Sequence, residues 1–385
     1  MPKYLNDARG LRALKKSLST AVLAAIFAGS TTLAAETTSD AAPNTFSIAA
    51  GAYHWFNLPR HHGHLTYGTD SLPDTYRWEV LLDGEHRFSS DNALGFHGDI
   101  RYRENGTLRP FISSQLWTWE TYGYAKTAVG TFKGGKVWSR FGLDWDGSFY
   151  GNVQYFDGLK LDPDWGVSWE NTWTATQALS VDTYTQFFFA EDQVNGSLVG
   201  GDAESADGYR ERNTAIVRVV PRWKLDDKSS IAVGLSGRAG TIEVNGIGNH
   251  HVTGGALDLT YANRGFKVYA EADAINGATN PARYVTGGAS DGYKDYLAGA
   301  EYTFKPARFM GPTTLRYTFS RGEYDNPDGT QDLRLIGITT QLAKWLTLYV
   351  EYVNWDVTAA GTPSVKYEDG FQFILNWNIG KTFNF

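Results

Sequence analysis

Two groups of charged residues in the first half of this chain are spaced for electrostatic work. Arg77, Arg87, Arg101 and Arg103, followed by Lys136 and Arg140, place cations at or near one parity of their segments. The stretch from Gly142 to Asp164 comes next and carries Asp144, Asp146, Asp157, Asp162 and Asp164 among Gly147, Gly151, Gly158 and Pro163. Fixed cations facing fixed carboxylates across a wet gap set a transverse field, which sorts passing ions by charge and size. The plainer reading is that such charges pair for solvation, where a single exposed pair contributes little. For one arginine alone the plainer reading is preferred; the six together argue for the facing arrangement.

Other chemistries have less to stand on. His61, His62 and His64, and again His250 and His251, could ligate zinc or copper through imidazole. They fall in polar stretches that read as loops, with no fixed carboxylate partner to orient them, so no metal or other cofactor is expected. No G-x-S-x-G string marks a nucleophile elbow. The chain has no cysteine, which removes disulfides and thiolate metal sites. Its formal net charge of −7 argues against a nucleic-acid partner.

The charged residues are carried by segments of period two. From Thr75 to Phe88, Tyr76, Trp78, Val80 and Leu82 fall on one side, and Arg77, Glu79, Asp83, Glu85 and Arg87 on the other. Ala93 to Arg103 repeats this, with Leu94, Phe96, Ile100 and Tyr102 against His97, Asp99, Arg101 and Arg103. The last stretch sets Phe371, Phe373, Leu375, Trp377, Ile379, Phe383 and Phe385, with one break at Lys381, against Gln372, Ile374, Asn376, Asn378, Gly380, Thr382 and Asn384. Strict alternation specifies a strand, because successive side chains point to opposite faces. Strands with aromatics on one side and amides or charges on the other suit a membrane barrel, with lipid outside and water inside. A secreted β-sandwich array or a β-propeller would have a similar composition.

Taken in order, the chain gives sixteen such segments, with fourteen or eighteen left open by the boundaries. Short turns such as Ser89-Ser90-Asp91-Asn92 and Asp226-Asp227-Lys228 alternate with longer loops such as Asp192 to Gly208 and Asn276 to Gly292. Asn245 to His250 and Tyr324 to Gly329 also read as loops. Further arginines, Arg212, Arg218, Arg222, Arg238, Arg316 and Arg334, lie on polar faces and are balanced by Glu271, Asp273, Glu301 and Glu351. Trp117, Trp119, Tyr122, Tyr124, Trp345, Tyr352 and Trp355 read as an interfacial girdle. Only Tyr269 and Tyr349 fall clearly on the polar parity, too few for a sugar-stacking track. Residues 1–35 read as an export signal: Lys3, Arg9, Arg12, Lys15 and Lys16, a short apolar run from Ala21 to Gly29, then Thr32-Leu33-Ala34-Ala35. Residues 36–385 form one barrel domain with no sign of a second.

On the signal, the strand rhythm, the terminal Phe385 and the arrangement Tyr124-Ala125-Lys126-Thr127, Gly130-Thr131, Phe132-Lys133-Gly134-Gly135-Lys136 followed by a long loop, the chain resembles Gram-negative general porins. The resemblance implies an all-β transmembrane barrel whose third outer loop folds into the lumen, acidic and facing basic residues on the wall. It implies an outer-membrane location among bilayer lipid and lipopolysaccharide, a homotrimer, and passive diffusion of ions and small hydrophilic solutes without catalysis. Two other readings compete. One is a lipase-like barrel enzyme, whose serine, histidine and acid would be brought together only by folding. The other is a structural or adhesion barrel whose long loops bind a partner.

Overall fold

The computed structural model describes residues 44–62, 75–103, 116–143, 151–153, 163–190, 209–244, 248–279, 290–306, 311–325, 328–359 and 361–385. Contacts divide the chain into Met1–Ala41 and Ala42–Phe385. The first unit, with the expected export signal, lies outside the described residues; the second is the barrel.

Sixteen strands form it: β1 (Thr45–His62), β2 (Thr75–Arg87), β3 (Ala93–Arg103), β4 (Leu116–Thr127), β5 (Gly130–Val137), β6 (Asp164–Thr174), β7 (Leu179–Ala190), β8 (Tyr209–Lys224), β9 (Ser229–Val244), β10 (Gly248–Asn263), β11 (Phe266–Thr279), β12 (Ser290–Phe304), β13 (Thr313–Asp325), β14 (Gly329–Ala343), β15 (Leu346–Ala359) and β16 (Val365–Asn384). Each pairs antiparallel with its sequence neighbours, and β1 pairs with β16 to close the barrel. Closure gives every strand a hydrogen-bonded neighbour on both sides, the condition a sheet must meet to cross hydrocarbon.

The two faces are inverted relative to a water-soluble protein. Leu315 and Tyr317 of β13 are exposed, while Arg316, Thr318 and Ser320 between them are buried. Val217, Leu235, Leu257 and Ile336 stand exposed on the outer side of other strands; Arg218, Asp258, Glu271 and Glu351 are buried. Lipid requires the apolar outside, and water or a docked loop tolerates the polar inside. Leu235→Arg, midway along β9, therefore costs about 2–4 kcal/mol if that point lies near the bilayer midplane. Urea titration in phospholipid vesicles checks this, as a loss of folding free energy.

Two of the expected loops are shorter than the sequence suggested. β10 begins at Gly248, β13 runs to Asp325 and β14 begins at Gly329, so His250 stands opposite Ile242, Asp325 opposite Gly292, and Tyr324 opposite Gly329 in the ladders. Polar residues read as loop when the strand that holds them extends past the apolar band. At the opposite end the turns are tight. In the β8–β9 turn the Lys228 N–H bonds Asp226 Oδ1 at 2.6 Å, and that bond holds the Asp226 carboxyl below its ordinary pKa.

The seam is fastened on both sides of β1. Trp78 on β2 and Trp377 on β16 meet edge-to-face at 5.2 Å, with Ala52 of β1 in register with both. At the end of the seam Asn44 and Phe385 exchange two backbone hydrogen bonds of 3.0 Å.

Candidate functional site

Residues 138–143 and 151–153 of the β5–β6 connection lie inside the barrel against its wall. At its root, Gln186 of β7 accepts the Arg140 N–H at 2.7 Å and donates to the Trp138 carbonyl at 2.7 Å. Further along, the Gly142 N–H bonds Ser236 Oγ of β9 at 3.1 Å, and the Leu143 N–H bonds the Glu271 carboxylate of β11. Gly142 has φ +71, and a Cβ there would lie 2.5 Å from Glu271 Oε1, so the close approach requires glycine. The Val153 N–H reaches Ser320 Oγ of β13 at 3.0 Å. Ser236, Glu271 and Ser320 all point inward, so the loop is bound to the inner wall across β7, β9, β11 and β13.

Packing reinforces these bonds. Phe141 and Val153 of the loop, with Val137 at the end of β5, join one buried apolar cluster with Phe188, Ile216, Ile242, Val252, Ile275, Leu333, Leu335, Val353 and Trp355. Apolar side chains face inward here because residues of the loop pack against them. Gln186 is itself 2% exposed. Gln186→Leu would leave the Arg140 N–H and Trp138 C=O unsatisfied, at about 1–3 kcal/mol for each buried group. The expected results are a lower unfolding midpoint in detergent and excess open-channel noise.

The wall is a lattice of paired charges. Arg101 Nη2 lies 2.7 Å from Asp99 and its Nε 3.9 Å from Glu79, and the guanidinium sits 4.4 Å over the Trp119 ring. Lys133 pairs with Glu170 at 2.9 Å. Further round, Arg218 pairs with Asp258 at 2.5 Å and Arg316 with Glu301 at 3.2 Å, while Arg222 contacts Asp182.

The expected wall residues divide. Arg101 points inward as read. Arg77 and Arg103 stand directly opposite one another in the β2–β3 ladder, on the parity of Arg101; their side chains lie outside the described set. Arg87 pairs with Glu85 at 2.5 Å, and Glu85 also binds Lys126, at the turn end of the barrel. Lys136 is buried, but its ladder parity is that of Phe132 and Gly134, and its Nζ donates to the Thr118 carbonyl at 3.0 Å. Arg140 is at the loop root, 5.7 Å over the Tyr184 ring. Among the loop carboxylates, Asp144, Asp146, Asp157 and Asp162 lie outside the described residues, and Asp164 opens β6 opposite Val137. The loop's described hydrogen bonds go to β7, β9, β11 and β13, while its root residue Trp138 meets Trp119 of β4, which lies under Arg101 of β3.

Several aromatic assignments are corrected by the ladders. Opposite Gly98 and Ile100 of β3 stand Thr121 and Thr118 of β4, so β4 has one residue more than β3 there. That bulge brings Trp119 to the guanidinium of Arg101, on the inner side. Tyr122 and Tyr124 also face inward, against His97 at 5.3 Å and Glu85 at 2.9 Å. Trp355 is buried in the loop-packing cluster. Tyr352 and Trp345 do belong outside: Tyr352 packs on Phe371 at 5.1 Å, and Trp345 is exposed. Arg334 is corrected as well. It shares the outer parity of Ile336 and pairs with Asp356 at 3.2 Å.

The histidines are in strands, not loops. His61 and His62 stand opposite Asp369 and Glu368 in the β1–β16 ladder, and His250 and His251 are in β10. His64 lies outside the described residues. Among the described residues no three His, Asp or Glu side chains group as a metal site. Ser47, Asp83 and His97 do meet, but Ser47 Oγ and His97 Nδ1 both bond Asp83, at 3.4 and 2.7 Å. The acid lies between hydroxyl and imidazole, which is the wrong order for a nucleophilic relay.

A closed antiparallel barrel of sixteen strands, apolar outside and polar inside, with residues of the β5–β6 connection bound to its inner wall, is a porin-like barrel. Solved structures share this fold at low sequence identity. The outer-membrane channel DcaP of Acinetobacter baumannii superposes with a TM-score of 0.57 at 12% identity, covering 90% of this chain and 100% of that one. OmpF of Salmonella typhi, in complex with daunomycin, gives 0.55 at 11% over 88% and 98% of the two chains. The trimer form of OmpT, an outer membrane protein of Vibrio cholerae, gives 0.54 at 13% over 88% and 100%. No protein-family model matches the chain, and no curated protein matches it.

Proposed function

We propose that this chain forms a water-filled channel in a bacterial outer membrane, for passive diffusion of ions and small hydrophilic solutes. The observation that carries the reading is the β5–β6 loop, hydrogen-bonded to β9, β11 and β13 inside a closed barrel. A loop held against one side of a lumen narrows the passage on the other without sealing it. Arg77, Arg101 and Arg103 stand on the wall of the narrowed passage. Asp144, Asp146, Asp157 and Asp162 supply carboxylates from the loop, so that opposed charge weakly selects the ions that pass. Around the barrel are bilayer lipid and lipopolysaccharide, and three copies assemble; the trimer form of the similar Vibrio cholerae OmpT supports that assembly. The reading is not an enzymatic one.

The test is single-channel recording in a planar bilayer, with reversal potential under a salt gradient. Large steps grouped in threes are expected, and the sign of the potential reports whether the arginines or the loop carboxylates dominate. Bilayers that stay electrically silent at all voltages would overturn the proposal.

A further inference from the structure

The bulge in β4 creates a row of aromatic rings inside the barrel that the apparent sequence parity conceals. Trp119, Tyr122 and Tyr124 follow one another on β4, at about 3.3 Å of strand rise per residue. Trp138 meets Trp119 edge-to-face at 6.0 Å, and Tyr122 and Tyr124 are 6.2 Å apart. All four residues are partly rather than fully buried. The row runs from the root of the bound loop toward the turn end of the barrel.

Three of the four rings have a cation beside them, and each of those cations already has a carboxylate. Arg101 covers Trp119 and pairs with Asp99. Lys133 lies 5.0 Å from the Tyr122 ring and pairs with Glu170. Lys126 lies 5.4 Å from the Tyr124 ring and pairs with Glu85, which also accepts the Tyr124 hydroxyl. A passing anion would have to displace three bound carboxylates. A neutral ring bearing hydroxyls would displace none: its C–H face stacks on the aromatics while its hydroxyls bond the flanking charged groups, which serve as donors and acceptors together.

We propose that the β3–β5 sector of the lumen is a binding track for neutral carbohydrate rings, guiding short saccharides past the bound loop. This rests on the channel reading and names its preferred solute class.

The test is current interruption in single channels by maltotriose, with benzoate as an aromatic anion and sodium chloride alone as reference. Maltotriose is expected to interrupt the current, and Trp119→Leu to weaken its apparent affinity roughly tenfold, the scale of about 1.4 kcal/mol. Trp119→Phe, which keeps a ring, should retain most of that affinity and serves if the leucine variant fails to fold. A channel that conducts salt but is untouched by maltotriose overturns the track and leaves the channel reading standing. Interruption by benzoate alone also overturns it. If no conductance appears, the channel reading fails, and the track is judged by tryptophan fluorescence of the detergent-solubilised protein titrated with maltotriose: a saturable change supports it and a flat titration overturns it.

Discussion

Phe141→Ala gives a barrel that still closes but passes a larger and noisier current. Phe141 is 1% exposed, packs in the apolar cluster of the inner wall, and has Arg238 5.6 Å over its ring. Truncating a phenylalanine so placed costs about 3–5 kcal/mol. The hydrogen bonds from Gly142 and Val153 contribute about 1 kcal/mol net each and that from Leu143 to the Glu271 carboxylate about 1.5–3 kcal/mol, so the ring is the largest single anchor of the loop. None of the strand ladders depends on it. Recordings should show raised mean conductance and flicker, while electrophoretic mobility with and without heating still reports a folded barrel. Conductance indistinguishable from the parent would mean that the loop does not limit the passage.

Arg218→Leu is expected to cost about 3–5 kcal/mol of folding free energy, because it leaves the Asp258 charge buried and unpaired. The two side chains are 8% and 2% exposed at a separation of 2.5 Å, and Arg218 also donates to Ser236 Oγ at 2.9 Å. Ser236 is the same hydroxyl that accepts the Gly142 N–H, so the substitution loosens the loop as well as the wall. Arg218→Leu combined with Asp258→Leu should recover much of the loss, since removing both charges removes the unpaired one. Urea unfolding from vesicles measures the cycle; a double variant no more stable than the single would count against a charge-pair origin.

Much of the architecture was legible because lipid imposes a strict rule on each strand. The alternation of Thr75–Phe88, Ala93–Arg103 and the terminal stretch places Glu79, Arg101 and Gln372 inward, and their burial agrees. The rule breaks in two physical situations. A bulge shifts parity within a strand, and β4 keeps an aromatic pattern that reads the same before and after the shift. The rule also inverts where the barrel leaves the apolar band or where the loop packs inside. There Trp355 turns in toward the cluster, while Arg334 and Asp356 pair on the outside. The partners of the loop were beyond sequence reading for a simpler reason: Gly142 and Ser236, or Val153 and Ser320, are distant in the chain, and nothing local marks the pairing.

The bonds between Asn44 and Phe385 bear on how this protein is made. β1 is among the first strands to be synthesised, yet one of its two partners, β16, is the last. Until Phe385 is complete β1 has an unsatisfied edge, and so does whichever strand has most recently emerged. Open edges of this kind pair readily with other chains, and contacts between distant parts of a chain form slowly. The unclosed chain therefore spends its most aggregation-prone interval in water, before it reaches lipid. Expression of this barrel should accordingly be limited by holdase capacity during transit more than by the stability of the finished fold.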